Sequence, residues 1–107
     1  MSKIEYGTPF QATTTHATSA VASFAGVTDK TNYVTDISGS SDKAGALLLV
    51  KQGTTVIWQI QLASTAAGIN AFSHTFATPL PSAVGALVSV TVDGTSACYA
   101  NIAGFTI

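Results

Sequence analysis

The main indication of the fold is the stretch LLLVKQGTTVIWQIQLA, residues 47–63, in which two apolar runs flank a glycine. Short runs rich in β-branched and aromatic residues on either side of a Gly-containing loop are typical of a β-hairpin. Residues two apart on a strand share a face. One face of the second run is strongly apolar and is expected to point inward; it consists of Val56, Trp58, Ile60 and Leu62. The opposite face is half apolar and consists of Ile57, Gln59 and Gln61, together with two leucines or Val50 of the first run.

The sequence leaves the register of this hairpin open. With Gln52 and Gly53 as a two-residue loop, Leu49 opposes Val56. A three-residue loop places Val50 opposite Val56 instead. In either register an apolar face remains after the inward face is buried. Burying one such side chain is worth roughly 1.5–3 kcal/mol, a large part of the stability of an ordinary domain. We therefore expect the second face to be covered, either by the chain's own N-terminal arm or by another molecule.

Short apolar segments separated by turn-forming residues continue along the chain and predict about seven strands. Since no segment carries the apolar repeat of a helix, the sequence predicts an all-β sandwich or barrel over residues 21–107. Residues 1–20 are rich in Thr, Ser and Ala and are interpreted as an extended N-terminal arm. The segment SGSSDKAG, residues 38–45, is predicted to be a loop. Pro79 and Pro81 exclude a central strand around them, and Asp93 with Gly94 is the strongest hairpin signal.

The composition limits the classes of function. The 107 residues suffice for one domain, and 47% of them are hydrophobic, but only 8% are charged, against about 25% in a typical soluble domain. A formal net charge of -1 offers no basic surface for nucleic acid or for an anionic membrane. We expect a soluble product, made in the host cytoplasm without a secretion signal. Low charge also weakens the repulsion that keeps monomers apart, which favours assembly.

The sequence shows no catalytic or metal-binding pattern. His74 lies on the phenylalanine side of AFSHTFA and is interpreted as a packed, hydrogen-bonded core residue, and His16 as solvated or interfacial. Cys98, the single cysteine, is interpreted as a small buried hydrophobic residue. The carboxylates occur singly, at Glu5, Asp29, Asp36, Asp42 and Asp93. The sequence therefore predicts no enzyme, no metal and no cofactor.

Three stretches together resemble small tailed-phage virion proteins of the head decoration or cement type. They are VTDISGSSDKAGALLLVKQGTTVIWQIQLA, FSHTFATPLPSAVGALVSVTVDG and the closing NIAGFTI. The region of resemblance runs from about residue 31 to residue 107 and covers about two-thirds of the chain. The resemblance implies a compact antiparallel β-sandwich, jelly-roll-like, that trimerises on a capsid lattice and clamps neighbouring major capsid protein subunits. It implies no catalytic residues.

The leading hypothesis is a capsid decoration protein on the exterior of a phage virion, a homotrimer that binds across junctions of the major capsid protein. The expected contact residues, with copies of itself or with the capsid, are Ile4, Tyr6, Phe10, Leu48, Leu49, Ile57 and Gln59. The alternative is a carbohydrate- or receptor-binding β-domain of a tail fibre or spike. Sugar sites present exposed aromatic rings, for which Tyr33, Trp58 and Tyr99 are the candidates.

Overall fold

The computed structural model describes residues 7–16, 18–62 and 70–107, with only the backbone described at residue 70. These residues form eight β-strands: β1 Thr8–His16, β2 Ser19–Phe24, β3 Asn32–Ser41, β4 Leu47–Gln52, β5 Thr55–Gln61, β6 Asn70–Pro81, β7 Val88–Asp93 and β8 Cys98–Thr106. No helix occurs in the described ranges, so none there could cross a membrane. The predicted all-β fold is confirmed.

The strands form two four-stranded sheets. The first sheet has the order β1-β8-β3-β6 and the second the order β2-β7-β4-β5, and all the neighbouring pairs are antiparallel. The first strand of the chain therefore pairs with the last, and so on towards the middle of the sequence: β1 with β8, β2 with β7, β3 with β6 and β4 with β5. Two interlocking Greek keys of eight strands arranged over two sheets define a jelly roll.

Alternating side chains from both sheets form the core. Val88, Val90 and Val92 of β7 are fully buried, and the residues between them, Ser89 and Thr91, point to the other face of the sheet, where Ser89 is only 3% exposed. On the facing sheet, Ala100 and Ile102 of β8 are likewise fully buried. This period of two is what a strand with one face on the core requires. The three valines therefore share the face of β7 that points into the core.

Strand β3 extends further than the sequence indicated. Residues 38–41, predicted to open a loop, continue the strand to Ser41. The surroundings of Gly39 explain why a glycine occurs within this strand. A Cβ atom on Gly39 would lie 2.8 Å from Val92 Cγ2 and 2.9 Å from Leu48 Cδ1, both in the opposite sheet. Glycine is needed here because the two sheets approach too closely for any side chain.

The hairpin of β4 and β5 forms, but in neither of the two expected registers. Gln52 pairs with Thr55 around a loop of Gly53 and Thr54. Val50 pairs with Trp58, and Lys51 with Val56, so that Ile57 is the extra residue of a β-bulge. The bulge reverses the alternation: Trp58 and Ile60 remain inward, whereas Val56 turns outward and is 42% exposed. The prediction that Val56 points inward is wrong.

Of the two turn and proline signals in the second half of the sequence, one was interpreted correctly and one wrongly. Pro79 and Pro81 lie in β6, which is an edge strand, as the exclusion from a central position required. Asp93 and Gly94 do not form a hairpin, because β7 and β8 belong to different sheets. Residues 94–97 instead cross from one sheet to the other.

The segment assigned to the N-terminal arm contains a strand of this chain's own sheet. Thr8–His16 pairs with β8 along its whole length, and β2 begins at Ser19 and crosses the expected boundary at residue 20. Phe10 is buried, and its ring stacks on Phe24 with the centroids 4.4 Å apart. Ile4 and Tyr6, also assigned to the arm, lie outside the described residues.

A buried polar side chain, Asn32, ties one end of the sandwich together. Its Nδ2 donates to the carbonyl oxygens of Ala25 and Ala86, each at 3.1 Å, and its Oδ1 accepts from the hydroxyl of Thr106 at 2.5 Å. Its backbone N–H donates to Ser82 Oγ. Two loops and the end of β8 are thereby held to the start of β3.

Candidate interaction surfaces

The four edge strands share one property: none carries a formal charge. These strands are β1 and β6 in the first sheet and β2 and β5 in the second. Proteins that remain monomeric protect sheet edges with lysines, prolines or bulges, because an edge presents unpaired N–H and C=O groups. Proline occurs in β1 and β6, and β5 has the bulge at Ile57. Charged side chains, another such protection, are missing from all four.

The outer face of the second sheet carries exposed aliphatic side chains. Val21, Thr91, Leu49 and Gln59 form one row across the four strands of the sheet, as the pairings show. A neighbouring row ends with Lys51 and Val56. Val21 is 44% exposed and Leu47 is 41% exposed. This is the half-apolar second face that the hairpin sequence indicated, although its members differ in part.

The structure separates the expected contact residues into two groups. Leu48 is 0% exposed and Phe10 is 7% exposed, because both lie in the core of this chain. Side chains with so little accessible surface offer a partner almost nothing to contact, so these two are removed from the proposed interface. Ile57 is half-buried and packs against the core. Leu49 and Gln59 do lie on the outer face of the second sheet.

Aromatic rings bring the edge strands β5 and β6 together. Trp58 stacks on His74 at 5.3 Å between ring centroids, and Phe76 meets Trp58 edge-on at the same distance. Phe72 stacks on Trp58 at 6.1 Å. His74 is exposed rather than part of the core, and no hydrogen bond of its side chain is found among the described residues. His74 does lie on the phenylalanine side of its strand, as predicted. Because β6 is at the edge of its sheet, however, the imidazole ring remains accessible and the prediction of a packed core residue is wrong.

The outer face of the first sheet is polar, and part of it is internally hydrogen-bonded. Asn101 Oδ1 accepts from Gln11 Nε2 at 2.6 Å and from the Thr13 hydroxyl at 2.7 Å. The Thr75 hydroxyl donates to Asp36 Oδ1 at 2.7 Å. These groups lie on β1, β8, β3 and β6, so the contacts run across the sheet. The polar groups of this region largely satisfy one another.

Next to this network, Tyr99 stands between two shallow depressions. The row across the sheet reads Thr15, Tyr99, Ser40 and Ala71. One depression of about 360 Å³ lies towards β6, and another of about 340 Å³ lies towards β1. Tyr99 and Ser40 line both. The depressions arise because the neighbours of the large Tyr99 ring in this row are small residues.

The sequence did not identify the outer face of the first sheet as a site. Ser38 and Ser40 were assigned to a loop, and the row joins residues more than 80 positions apart, such as Thr15 and Tyr99. Alternating small hydroxyl residues in TTTH and SGSS are a weak signal of a polar sheet face. Only the strand order reveals that these segments are neighbours.

The ionisable groups are separate from one another. The Ser96 hydroxyl, the Ser96 N–H and the Thr95 N–H donate to Asp42 and hold the pKa of that carboxyl well below its ordinary value. Burial raises the pKa of the Cys98 thiol, whose Sγ donates to the His16 carbonyl. His16 Nδ1 accepts from the N–H groups of Thr18 and Ser19. Within the described ranges, no three ligating side chains come together.

No family model and no curated protein matches this chain. Among solved structures it is similar to "Cryo-EM structure of giant freshwater prawn Macrobrachium rosenbergii extra small virus (XSV) VLP", with 12% sequence identity and a TM-score of 0.38 over 98% of this chain and 82% of that chain. A TM-score this low carries no argument about function. The jelly-roll assignment rests on the strand order alone.

Proposed function

We propose that this chain is a structural virion protein, a capsid decoration or cement protein that trimerises and binds on the exterior of the capsid across junctions of the major capsid protein. The observation that carries the proposal is the absence of charge from all four edge strands, next to an outer sheet face with exposed aliphatic residues. Such edges and faces are suited to contact with another protein.

The outer face of the second sheet supports an assembly role energetically. Val21, Leu47 and Val56 each expose about two-fifths of their surface. Covering each of them contributes about 1 kcal/mol at the usual value per unit of apolar area. That gain is modest for one subunit. A cyclic oligomer on a lattice repeats it at every contact, and multivalent attachment turns weak contacts into firm binding.

The fold is compatible with this role but does not determine it. Jelly rolls occur in viral capsid proteins and also in lectins and cupins, so the topology alone leaves several functions open. The resemblance to decoration proteins in the sequence favours the first of these. Neither nucleic acid nor a membrane surface enters the proposal, because the formal net charge is only -1. It includes no catalytic step.

The oligomeric state tests the assembly. Light scattering of the purified chain is expected to give three times the 10.8 kDa mass of one chain. Val56→Lys places a charge on the outer face of the second sheet and is expected to shift the mass towards the monomer. Val84→Lys is the matched control, because Val84 is 67% exposed but lies between β6 and β7, outside that face. Gln59→Lys is expected to act like Val56→Lys.

Attachment to the capsid needs a second measurement. Shells assembled from the major capsid protein of the virus that encodes this chain are expected to sediment with the wild-type chain and to withstand more heat when it is bound. A wild-type chain that remains monomeric and does not sediment with such shells contradicts the proposal. Equal masses for the Val56→Lys and Val84→Lys variants would remove the second sheet from the interface.

A further inference from the structure

The two depressions beside Tyr99 form one groove across the outer face of the first sheet. We name it the Tyr99 groove; it is lined by Thr15, Ser38, Ser40, Ser73, Ser96 and Tyr99 among others. Tyr99 and Ser40 line both halves, so the two depressions adjoin at one ring. A ring flanked by open space on two sides can contact two successive units of an extended ligand.

Of the three aromatic candidates for a sugar site, only Tyr99 has ring faces not occupied by another ring of the described residues. Tyr33 stacks on Phe105 with the centroids 5.0 Å apart and an angle of 17° between the planes. Trp58 stacks on His74 and Phe72. Stacking on a ligand would require either residue to leave a partner. Tyr99 needs no such rearrangement.

The lining selects a neutral, hydroxyl-rich ligand. The half of the groove towards β6 combines the hydroxyls of Ser38, Ser40 and Ser73 with the ring of Tyr99, and none of its lining residues is charged. Unlike Gln11, Thr13 and Asn101 on the same face, these serine hydroxyls make no side-chain hydrogen bond within the described part of the chain. They are accessible for bonds to a ligand.

We propose that the Tyr99 groove binds a neutral oligosaccharide. The C–H face of a sugar ring packs on an aromatic face, and its hydroxyl groups exchange hydrogen bonds with serine and threonine. An anionic ligand would find no lysine or arginine along the lining, which has His16 as its one basic side chain, and a hydrophobic peptide would leave the serine hydroxyls unpaired. This inference is independent of the proposed assembly, because it uses the other sheet. On a particle with many copies, weak glycan contacts would add up to adhesion.

The test is a titration of the full chain with neutral hexasaccharides, namely maltohexaose, cellohexaose, laminarihexaose and mannohexaose, followed by amide chemical shifts and calorimetry. At least one of them is expected to shift the amides of Ser38, Ser40 and Tyr99. Tyr99→Ala is expected to weaken that binding about tenfold, the loss of one stacking contact, whereas Tyr99→Phe retains it. Tyr33→Ala is the matched control and is expected to bind like the wild type.

A second variant guards against a loss of structure in Tyr99→Ala. Ser40→Phe fills the groove from an outward, half-exposed position and is expected to abolish binding while the amide spectrum keeps its dispersion. The inference is overturned if no neutral hexasaccharide shifts the groove amides, if a hexamer of galacturonate binds more tightly than all of them, or if Tyr99→Ala and Ser40→Phe bind like the wild type. None of these outcomes affects the oligomeric state, so this test is separate from that of the proposed function.

Discussion

At the scale of single residues, the side chain of Asn32 holds three separate segments together, which the sequence does not indicate. It is 1% exposed and satisfies the carbonyls of Ala25 and Ala86 and the hydroxyl of Thr106. In the sequence TNYVTDI, this asparagine reads as a turn residue before a strand. Its three partners lie 7, 54 and 74 positions away, and local patterns contain no information on them.

Replacing Asn32 is therefore expected to cost much more than replacing an exposed asparagine. Asn32→Ala leaves buried carbonyl groups without donors and should lower the free energy of unfolding by about 3 kcal/mol. Asn101→Ala is the matched control, because the Asn101 side chain is also hydrogen-bonded but lies on the outer face of the first sheet. It should cost at most about 1 kcal/mol. Urea denaturation measures both, and equal losses would show that the Asn32 network does not hold the sandwich together.

Alternation at the residue scale was predictable wherever a strand is regular. His74 was placed correctly on the same side of β6 as Phe72 and Phe76. The prediction for Val56 was wrong because the bulge at Ile57 adds one residue and changes the phase of β5 beyond it. Since a bulge depends on the pairing with β4, the sequence of β5 alone does not reveal it.

At the scale of elements, the connection between β7 and β8 is the part that local signals described least well. Asp93 and Gly94 have the composition of a two-residue hairpin turn, but residues 94–97 lead to the other sheet. Asp42, from the segment after β3, takes over the role of a turn residue. It accepts from the N–H groups of Thr95 and Ser96 and from the Ser96 hydroxyl, and so stabilises the crossing.

The low pKa of Asp42 gives this crossing a pH dependence. Hydrogen bonds from the Ser96 hydroxyl and from the Ser96 and Thr95 N–H groups lower the pKa in the folded state from its ordinary value of 3.8. The folded chain thus binds this proton less readily than the unfolded chain. The contribution to stability is present above about pH 4 and is lost as the pH falls towards the folded pKa. Asp42→Asn should lower the melting temperature by a few degrees at pH 7, and the difference from the wild type should narrow below pH 4.

Asp29→Asn controls for the change in charge. Asp29 lies in an exposed turn with a φ of 63°, a conformation that Asn also adopts readily. Its replacement should leave the melting curve almost unchanged between pH 3 and pH 7. A constant difference between Asp42→Asn and the wild type over this range, followed by circular dichroism, would contradict the assigned role of the carboxylate.

At the scale of the whole molecule, the strands were predictable but their order was not. Period-two alternation identifies a strand and its buried face, whereas pairing depends on partners such as β1 and β8, which are separated by most of the chain. The candidate surfaces depend on that order. The outer face of the second sheet was predicted in part, because the β4–β5 hairpin is local. The Tyr99 groove combines residues from β1, β8, β3 and β6, and no local pattern brings them together.

Truncation at the N-terminus separates folding from assembly. A chain that begins at Gly7 retains β1 but lacks Ile4 and Tyr6, which are proposed contact residues; it should melt cooperatively and give a lower oligomeric mass than the full chain. A chain that begins at Val21 lacks the nine-residue β1, so β8 becomes an edge strand and Phe10 no longer fills the core. It should fail to fold. Circular dichroism measures the folding of both chains, and light scattering measures their oligomeric mass.

A folded, trimeric chain beginning at Val21 would mean that β1 is dispensable for the sandwich. An unchanged oligomeric mass for the chain beginning at Gly7 would remove Ile4 and Tyr6 from the interface.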